Sequence, residues 1–271
     1  MSFKLADRVV LITGASSGIG RACAIEFHRA GCFVVAAARS TDKLDALAME
    51  LGPDRAMPLT MDVTDAADRA AGIAAVRKRF GRIDVLINNA GWASFSSVMR
   101  MPEEHMHRMI ALNLVAPIAL TRAVLPEMIE RASGQIINVS SVVGHQCIPR
   151  MTVYSATKAA LTSFTTGLRM ELVGSGVDVL LVAPGSTDTP FFDVAASVDV
   201  KTVRLAQHQY TPERVAKAVV RSSRRRRREV TLTAAGKLAV VVRRVSHRLA
   251  DYAMYLYAKR GMPERRGSAQ E

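Results

Sequence analysis

Cysteine is scarce in this chain: Cys23, Cys32 and Cys147 are the whole complement of 271 residues. At those spacings they form neither a metal-ligand set nor a disulfide framework, so no metal is expected. Cys23 and Cys32 sit in apolar runs and read as small core residues. No apolar run reaches the length that spans a bilayer, and no signal-like segment precedes the first apolar strand. The expectation is an intracellular, cytoplasmic protein. Acidic residues are short in one region only. Up to residue 200 the chain holds 19 basic and 19 acidic residues, and beyond it 18 and 5. The whole net charge of +13 therefore belongs to the last quarter.

The fingerprint Gly-x-Gly-x-x-Gly is missing as well. Three glycines stand instead as Gly14-x-x-x-Gly18-x-Gly20. Before them runs Arg8-Val9-Val10-Leu11-Ile12-Thr13, short, apolar and β-branched, which reads as a buried strand. After them Ile19, Cys23 and Phe27 recur at helical spacing. The glycines thus lie where a strand turns into a helix. There glycine lets backbone approach a pyrophosphate, and the helix start offers free N–H groups and partial positive charge.

Tyr154 and Lys158 are four apart and share one face of a helix. An ammonium beside a phenol favours the phenolate, so Lys158 is expected to lower the Tyr154 pKa from about 10. A tyrosine tuned that way exchanges a proton with a substrate oxygen near neutral pH. Ser141, upstream of it, can supply a hydroxyl to hold the same oxygen.

Together these motifs resemble a classical short-chain dehydrogenase/reductase (SDR). Thr13–Gly20 resembles that family's cofactor motif, and Asn88-Asn89-Ala90-Gly91 its motif after the fourth strand. Asn113, Ser141, Tyr154 and Lys158 resemble its catalytic tetrad, and Pro184–Thr189 its motif after the sixth strand. The likeness runs from about residue 5 to about residue 195. It implies that Gly14, Ser16, Ser17, Gly18, Ile19 and Gly20 admit the pyrophosphate, with Asp62 and Val63 at the adenine. It implies that Asn89, Ala90 and Gly91 line the cofactor, with Asn89 supporting the central strand and the adenosine ribose. Pro184, Gly185 and Thr187 would lie along the nicotinamide end, with Thr189 at the carboxamide. Tyr154 would be the acid/base, Lys158 would bind the nicotinamide ribose, and Asn113 would hold a water in a proton relay.

Charge argues for the form of the cofactor. The second strand, Cys32–Ala38, ends in Arg39, with no carboxylate. A carboxylate there would bind a ribose 2′-OH and repel a 2′-phosphate, whereas arginine pairs with the phosphate. The expectation is NADP(H), as in NADP-preferring members of the family.

The length suits one α/β domain. Further strands are expected near Ala56–Met61, Ile83–Asn88, Gln135–Ser140, Val177–Val182 and Glu229–Leu232. Helices are expected near Asp65–Phe80, Pro102–Arg131, Val153–Val173 and Pro212–Arg225. The alternation implies a Rossmann-like, doubly wound parallel sheet of about seven strands with helices on both faces. Residues 1–235 form the expected dinucleotide-binding catalytic domain, 236–262 a basic helical extension, and 263–271 a polar, disordered tail.

The basic quarter opens with Arg224–Arg228. From Leu238 onward, Val241, Val242, Val245, Leu249, Tyr252, Ala253 and Leu256 mark one stripe of a single helix. Such a helix can pack on its own domain or a sister subunit, or lie on an anionic membrane. In the latter case the protein would be peripheral on the inner membrane face. Nucleic acid is the third alternative, although no reading module is recognisable. The long helices resemble those through which the family builds homodimers and homotetramers.

The expected reaction interconverts a carbonyl and a secondary alcohol. Trp92, Cys147, Phe191 and Phe192 are the candidate substrate residues, which suggests an apolar lipid, sterol or acyl-type compound. The alternative is a non-catalytic dinucleotide sensor, or a membrane adaptor, on the same fold.

Overall fold

The computed structural model describes residues 2–198 and 210–261. Seven parallel strands form the central sheet: β1 (Val9–Thr13), β2 (Phe33–Ala38), β3 (Ala56–Thr60), β4 (Val85–Asn88), β6 (Gly134–Val139), β7 (Val177–Ala183) and β9 (Glu229–Thr231). Their order is β3-β2-β1-β4-β6-β7-β9. A separate parallel pair, β5 (Ser94–Phe95) and β8 (Ala196–Ser197), lies outside it.

Strand residues alternate between two cores, as the two-residue period of a strand requires. Val10, Ile12, Val34 and Ala36 meet α1 (Gly18–Arg29), α2 (Thr41–Leu51) and α8 (Pro212–Arg224) through Phe27, Leu44, Leu47 and Val219. Val9, Leu11, Val35 and Ala37 meet α3 (Ala66–Phe80), α5 (Ala116–Glu130) and α6 (Thr152–Glu171) through Ile73, Val76, Leu120, Val124 and Leu168. Burial on both faces explains why the strands read as continuous apolar runs. Helix ends carry the expected chemistry. Asp65 caps α3 by accepting from the Asp68 amide at 2.8 Å, and Gly81 closes it in the left-handed region.

The helix expected over 102–131 is interrupted. After α4 (Glu103–Ile110), a π-helical turn at Ala111–Val115 carries Asn113 and leads into α5. Pro117, in the first turn of α5, has no N–H to offer the Asn113 carbonyl four residues earlier. By length and composition alone, helix 103–130 could cross a membrane, which corrects the reading that no such run exists. Its inward residues Met109, Leu120, Val124 and Met128 pack into the two cores described here and at the site. A short helix, α7 (Phe191–Val194), follows β7.

The C-terminal stripe is not one helix. It is divided into α9 (Ala234–Val245) and α10 (His247–Gly261) by Ser246, which is extended at φ −152° and ψ 109°. Ala250, off the expected stripe, is buried, whereas Val241, Val245, Leu249 and Tyr252 are exposed. Nor do the arginine run and these helices form one surface. Arg226 pairs with Asp178 at the start of β7, and Gly185, beyond its end, meets Thr233 at the start of α9. At strand rise, the two ends of β7 are roughly 20 Å apart. The tail expected over 263–271 lies outside the described residues.

Candidate active site

Strand order reverses between β1 and β4, so a crevice opens beyond their C-terminal ends, the usual ligand position in an open α/β sheet. A cavity of about 740 Å³ fills it.

Its floor is the turn after β1. Gly14 adopts φ +67°, and a Cβ on Gly20 would lie 2.2 Å from the Gly14 carbonyl and 2.5 Å from Asn89 Nδ2. Only backbone fits there. Asn89 donates through Nδ2 to the Thr13 carbonyl at 2.9 Å and the Gly14 carbonyl at 3.3 Å. The Thr13 hydroxyl accepts from the amides of Asn89 (3.0 Å) and Ala90 (3.1 Å). The two motifs thereby hold each other in shape. Gly14, Ser16, Ser17, Gly18 and Ile19 line the cavity with Asn89, Ala90 and Gly91, while Gly20 lies beneath it as a packing position. This cradle fits a dinucleotide: bare backbone at a helix start, where a pyrophosphate can approach.

At one end lie Ala38, Arg39, Asp62 and Val63, as the motifs imply, together with Ser40, Lys43 and Thr64. Asp62 accepts from the Thr64 hydroxyl (2.7 Å) and amide (2.8 Å). The Thr64 hydroxyl bond, helped by its amide and by Arg39 and Arg108 nearby, holds the Asp62 carboxyl below the usual range despite some burial. Lys43 is not among the residues that the motifs imply, although a second cation four residues after Arg39 is a usable signal. The segment after β7 adds Pro184, Gly185, Thr187 and Thr189 to the lining, with Thr189 against the cradle turn, where a Cβ on Gly18 would lie 3.1 Å from its Cγ2.

Tyr154, Ser141 and Lys158 come together in the middle. Ser141 lies two residues beyond the end of β6, and the other two stand on the first turns of α6. Tyr154 is buried, and burial pushes its phenol well above the ordinary value; a hydrogen bond with the Ser141 hydroxyl opposes that shift. The expectation of a Tyr154 pKa below its ordinary value is therefore not met. Lys158 Nζ sits 5.9 Å from the Tyr154 ring centroid, donates to the Val139 carbonyl at 2.9 Å, and burial lowers its own pKa to about 8. Desolvation outweighs the pairing that sequence spacing suggested.

Asn113 lies beside rather than in the cavity. Its Oδ1 accepts from the Trp92 amide (2.9 Å), and its Nδ2 donates to the Trp92 carbonyl (2.8 Å) and the Thr157 hydroxyl (3.2 Å). The side chain thus fixes the strand that follows Gly91.

The substrate end is apolar. Trp92 packs under the Arg108 guanidinium, 4.1 Å from its ring centroid, and donates from Nε1 to the Val194 carbonyl at 2.9 Å. Phe191 approaches the Tyr154 ring at 5.8 Å, and Phe192 stacks on Phe95 at 6.1 Å. Cys147 does not belong here. It is exposed, with its thiol turned toward the Ile148 carbonyl, while its neighbours Gln146 and Ile148 line the cavity instead. Met254 of α10 lines it too, a residue without any local sequence signal.

Residues 8–198 match the family model described as short chain dehydrogenase. The chain belongs to the short-chain dehydrogenase family. An uncharacterized oxidoreductase of Staphylococcus aureus is 35% identical over 216 residues, 80% of this chain and 90% of that protein. Among solved structures, a short-chain dehydrogenase from Sphingobium yanoikuyae in complex with NADPH is 32% identical. It covers 97% of this chain and 98% of its own, with a TM-score of 0.76. A 3-ketoacyl-(acyl-carrier-protein) reductase from Brucella melitensis complexed with NADH is 28% identical. It covers 81% and 91%, with a TM-score of 0.73. The short-chain dehydrogenase fold and family are thus established, and the chain is an oxidoreductase of that family.

Proposed function

We propose that this protein is an NADP(H)-dependent reductase that interconverts a carbonyl and a secondary alcohol on an apolar substrate. The observation that carries this reading is the hydrogen-bonded Tyr154–Ser141 pair at the meeting point of a dinucleotide cradle and an apolar chamber. When bound, the dinucleotide supplies the hydride that forms the new C–H bond. Tyr154 donates its phenolic proton to the carbonyl oxygen, which becomes the alcohol oxygen. Ser141 holds the same oxygen, and its hydroxyl acts where negative charge grows. Lys158 keeps a positive charge below pH about 8, which stabilises the phenolate that remains. The Asn113 carbonyl, to which Pro117 four residues on has no N–H to donate, would accept from a water that returns a proton to the site.

What supports the phosphorylated form of the cofactor is Arg39 with Lys43 at the same end of the cavity. Two cations at the end of β2 suit a 2′-phosphate. What supports an apolar substrate is the wall of Trp92, Phe191, Phe192 and Ile148. A binder without chemistry would have no need of the Ser141–Tyr154 bond. The test is oxidation of NADPH with a panel of apolar ketones and aldehydes. Turnover that is faster with NADH, or confined to charged substrates, would overturn the reading.

The outer face of α9 and α10 supports a peripheral position on an anionic membrane. Leu238, Val241, Val245, Leu249 and Tyr252 are all more than half exposed there. Residues 234–261 carry Lys237, Arg243, Arg244, Arg248, Lys259 and Arg260 against Asp251 alone. Co-sedimentation with phosphatidylserine vesicles tests this. Binding that survives Val241→Asp with Leu249→Asp would contradict it.

A further inference from the structure

The helices α9 and α10 cover the substrate end of the cavity, and their seat on the catalytic loop is close. A Cβ on Gly236 would lie 2.5 Å from Val142 Cγ1, next to Ser141. Thr233 caps α9 by accepting from the Gly236 amide at 3.1 Å. From α9, Arg243 Nη1 donates to Gln146 Oε1 at 3.3 Å and to Asp251 Oδ1 of α10 at 3.4 Å. One guanidinium thus joins α9, α10 and the loop after Ser141.

Gln146 is the unusual partner. Only 5% of it is exposed, in a stretch of wall otherwise made by Val143, Ile148 and Met151. A guanidinium can only donate, so Arg243 compels the carboxamide oxygen to face it and the NH2 to face away. That NH2 carries two hydrogens, and the Cys147 carbonyl, at 3.3 Å from the nitrogen, accounts for one of them.

We infer that Gln146 is a specificity-determining residue: its Nε2 donates to a second acceptor oxygen of the substrate, away from the reacting carbonyl. Arg243 is a positioning residue that fixes the orientation of that amide. The substrate is then an apolar ketone that carries a further carbonyl, ester or ether oxygen. A site built to donate a hydrogen bond rejects a ligand without the acceptor, because the buried N–H is left unpaired.

The inference rests on the reading of the chamber as a carbonyl site, and binding separates the two. Trp92, the one tryptophan of the chain, lines the cavity, so quenching of its emission reports occupancy without turnover. The probes are decan-2-one and oxo-esters of equal chain length with the ester stepped along the chain, each titrated with saturating NADP+. Wild type binds at least one oxo-ester about 10-fold more tightly than decan-2-one. Gln146→Glu keeps the volume and the Arg243 contact but cannot donate, and it abolishes the preference. Arg243→Ala weakens the preference, and Arg243→Lys, also only a donor, restores part of it. The affinity for NADP+ stays unchanged in all three. A wild type that binds no oxo-ester more tightly than decan-2-one overturns the inference, as does a preference that survives both Gln146→Glu and Gln146→Leu. Absence of turnover despite that preference would instead count against the reductase reading alone.

Discussion

Lys158 Nζ donates to the Val139 carbonyl at 2.9 Å from a fully enclosed position beside Tyr154. The bond orients the lysine, while burial brings its pKa down to about 8, within reach of ordinary assay conditions. Its charge supports the departing Tyr154 proton, so the rate of carbonyl reduction should be level below pH 8. Above it, the rate should fall by about tenfold per pH unit. A pH–rate profile flat to pH 10.5 would remove Lys158 from the account.

The same shift has a consequence for stability. The folded pKa lies below the ordinary 10.5, so the folded state binds fewer protons than the unfolded state between pH 8 and 10.5. Stability then rises with pH across that window. Relative to Lys158→Met, the wild type should gain on the order of 3 kcal/mol between its ends. Urea denaturation of both proteins at the two pH values measures the gain, and a constant difference would contradict it.

Arg39→Asp should invert the cofactor choice. It replaces a charge-assisted partner of the 2′-phosphate by a repelling carboxylate, which should raise KM for NADPH by about 10-fold or more. KM for NADH should fall, since aspartate accepts from the 2′-OH. Steady-state kinetics with both cofactors decide it, and an unchanged ratio would place the discrimination elsewhere, with Lys43 the next residue to test.

Gly20→Ala tests the cradle from below. The added methyl meets the Gly14 carbonyl and Asn89 Nδ2, groups that cannot both yield without opening the turn. The expected cost is about 1–3 kcal/mol of stability with weaker dinucleotide binding. Thermal unfolding with and without NADPH reads both, and a variant with wild-type affinity and Tm would show the turn to be more forgiving than its geometry.

Most of this architecture was legible in the sequence, for identifiable reasons. Strands buried on both faces appear as runs such as Val9–Thr13 and Phe33–Ala38, and the glycines of the β1–α1 turn announce themselves by spacing. Helix α2 is not among the helices expected from the sequence, although Leu44, Leu47, Ala48 and Leu51 form a plain stripe. Other features were not local. Apolar spacing runs on across Ser246, from Val245 to Leu249, so nothing in it marks where one helix becomes two. Cys147 and Gln146 are neighbours in a loop, and the partner that the buried Gln146 finds, Arg243, is 97 residues away. The Tyr154 phenol follows burial, a tertiary property, rather than its spacing from Lys158.

The role proposed for Tyr154 is that of proton donor in a dinucleotide-dependent carbonyl reduction. The most direct measurement is NADPH oxidation with apolar ketones, wild type beside Tyr154→Phe, with NADPH affinity measured in parallel. Loss of at least about 100-fold in kcat with unchanged NADPH affinity is the predicted result. Turnover by Tyr154→Phe at the wild-type rate would contradict the account.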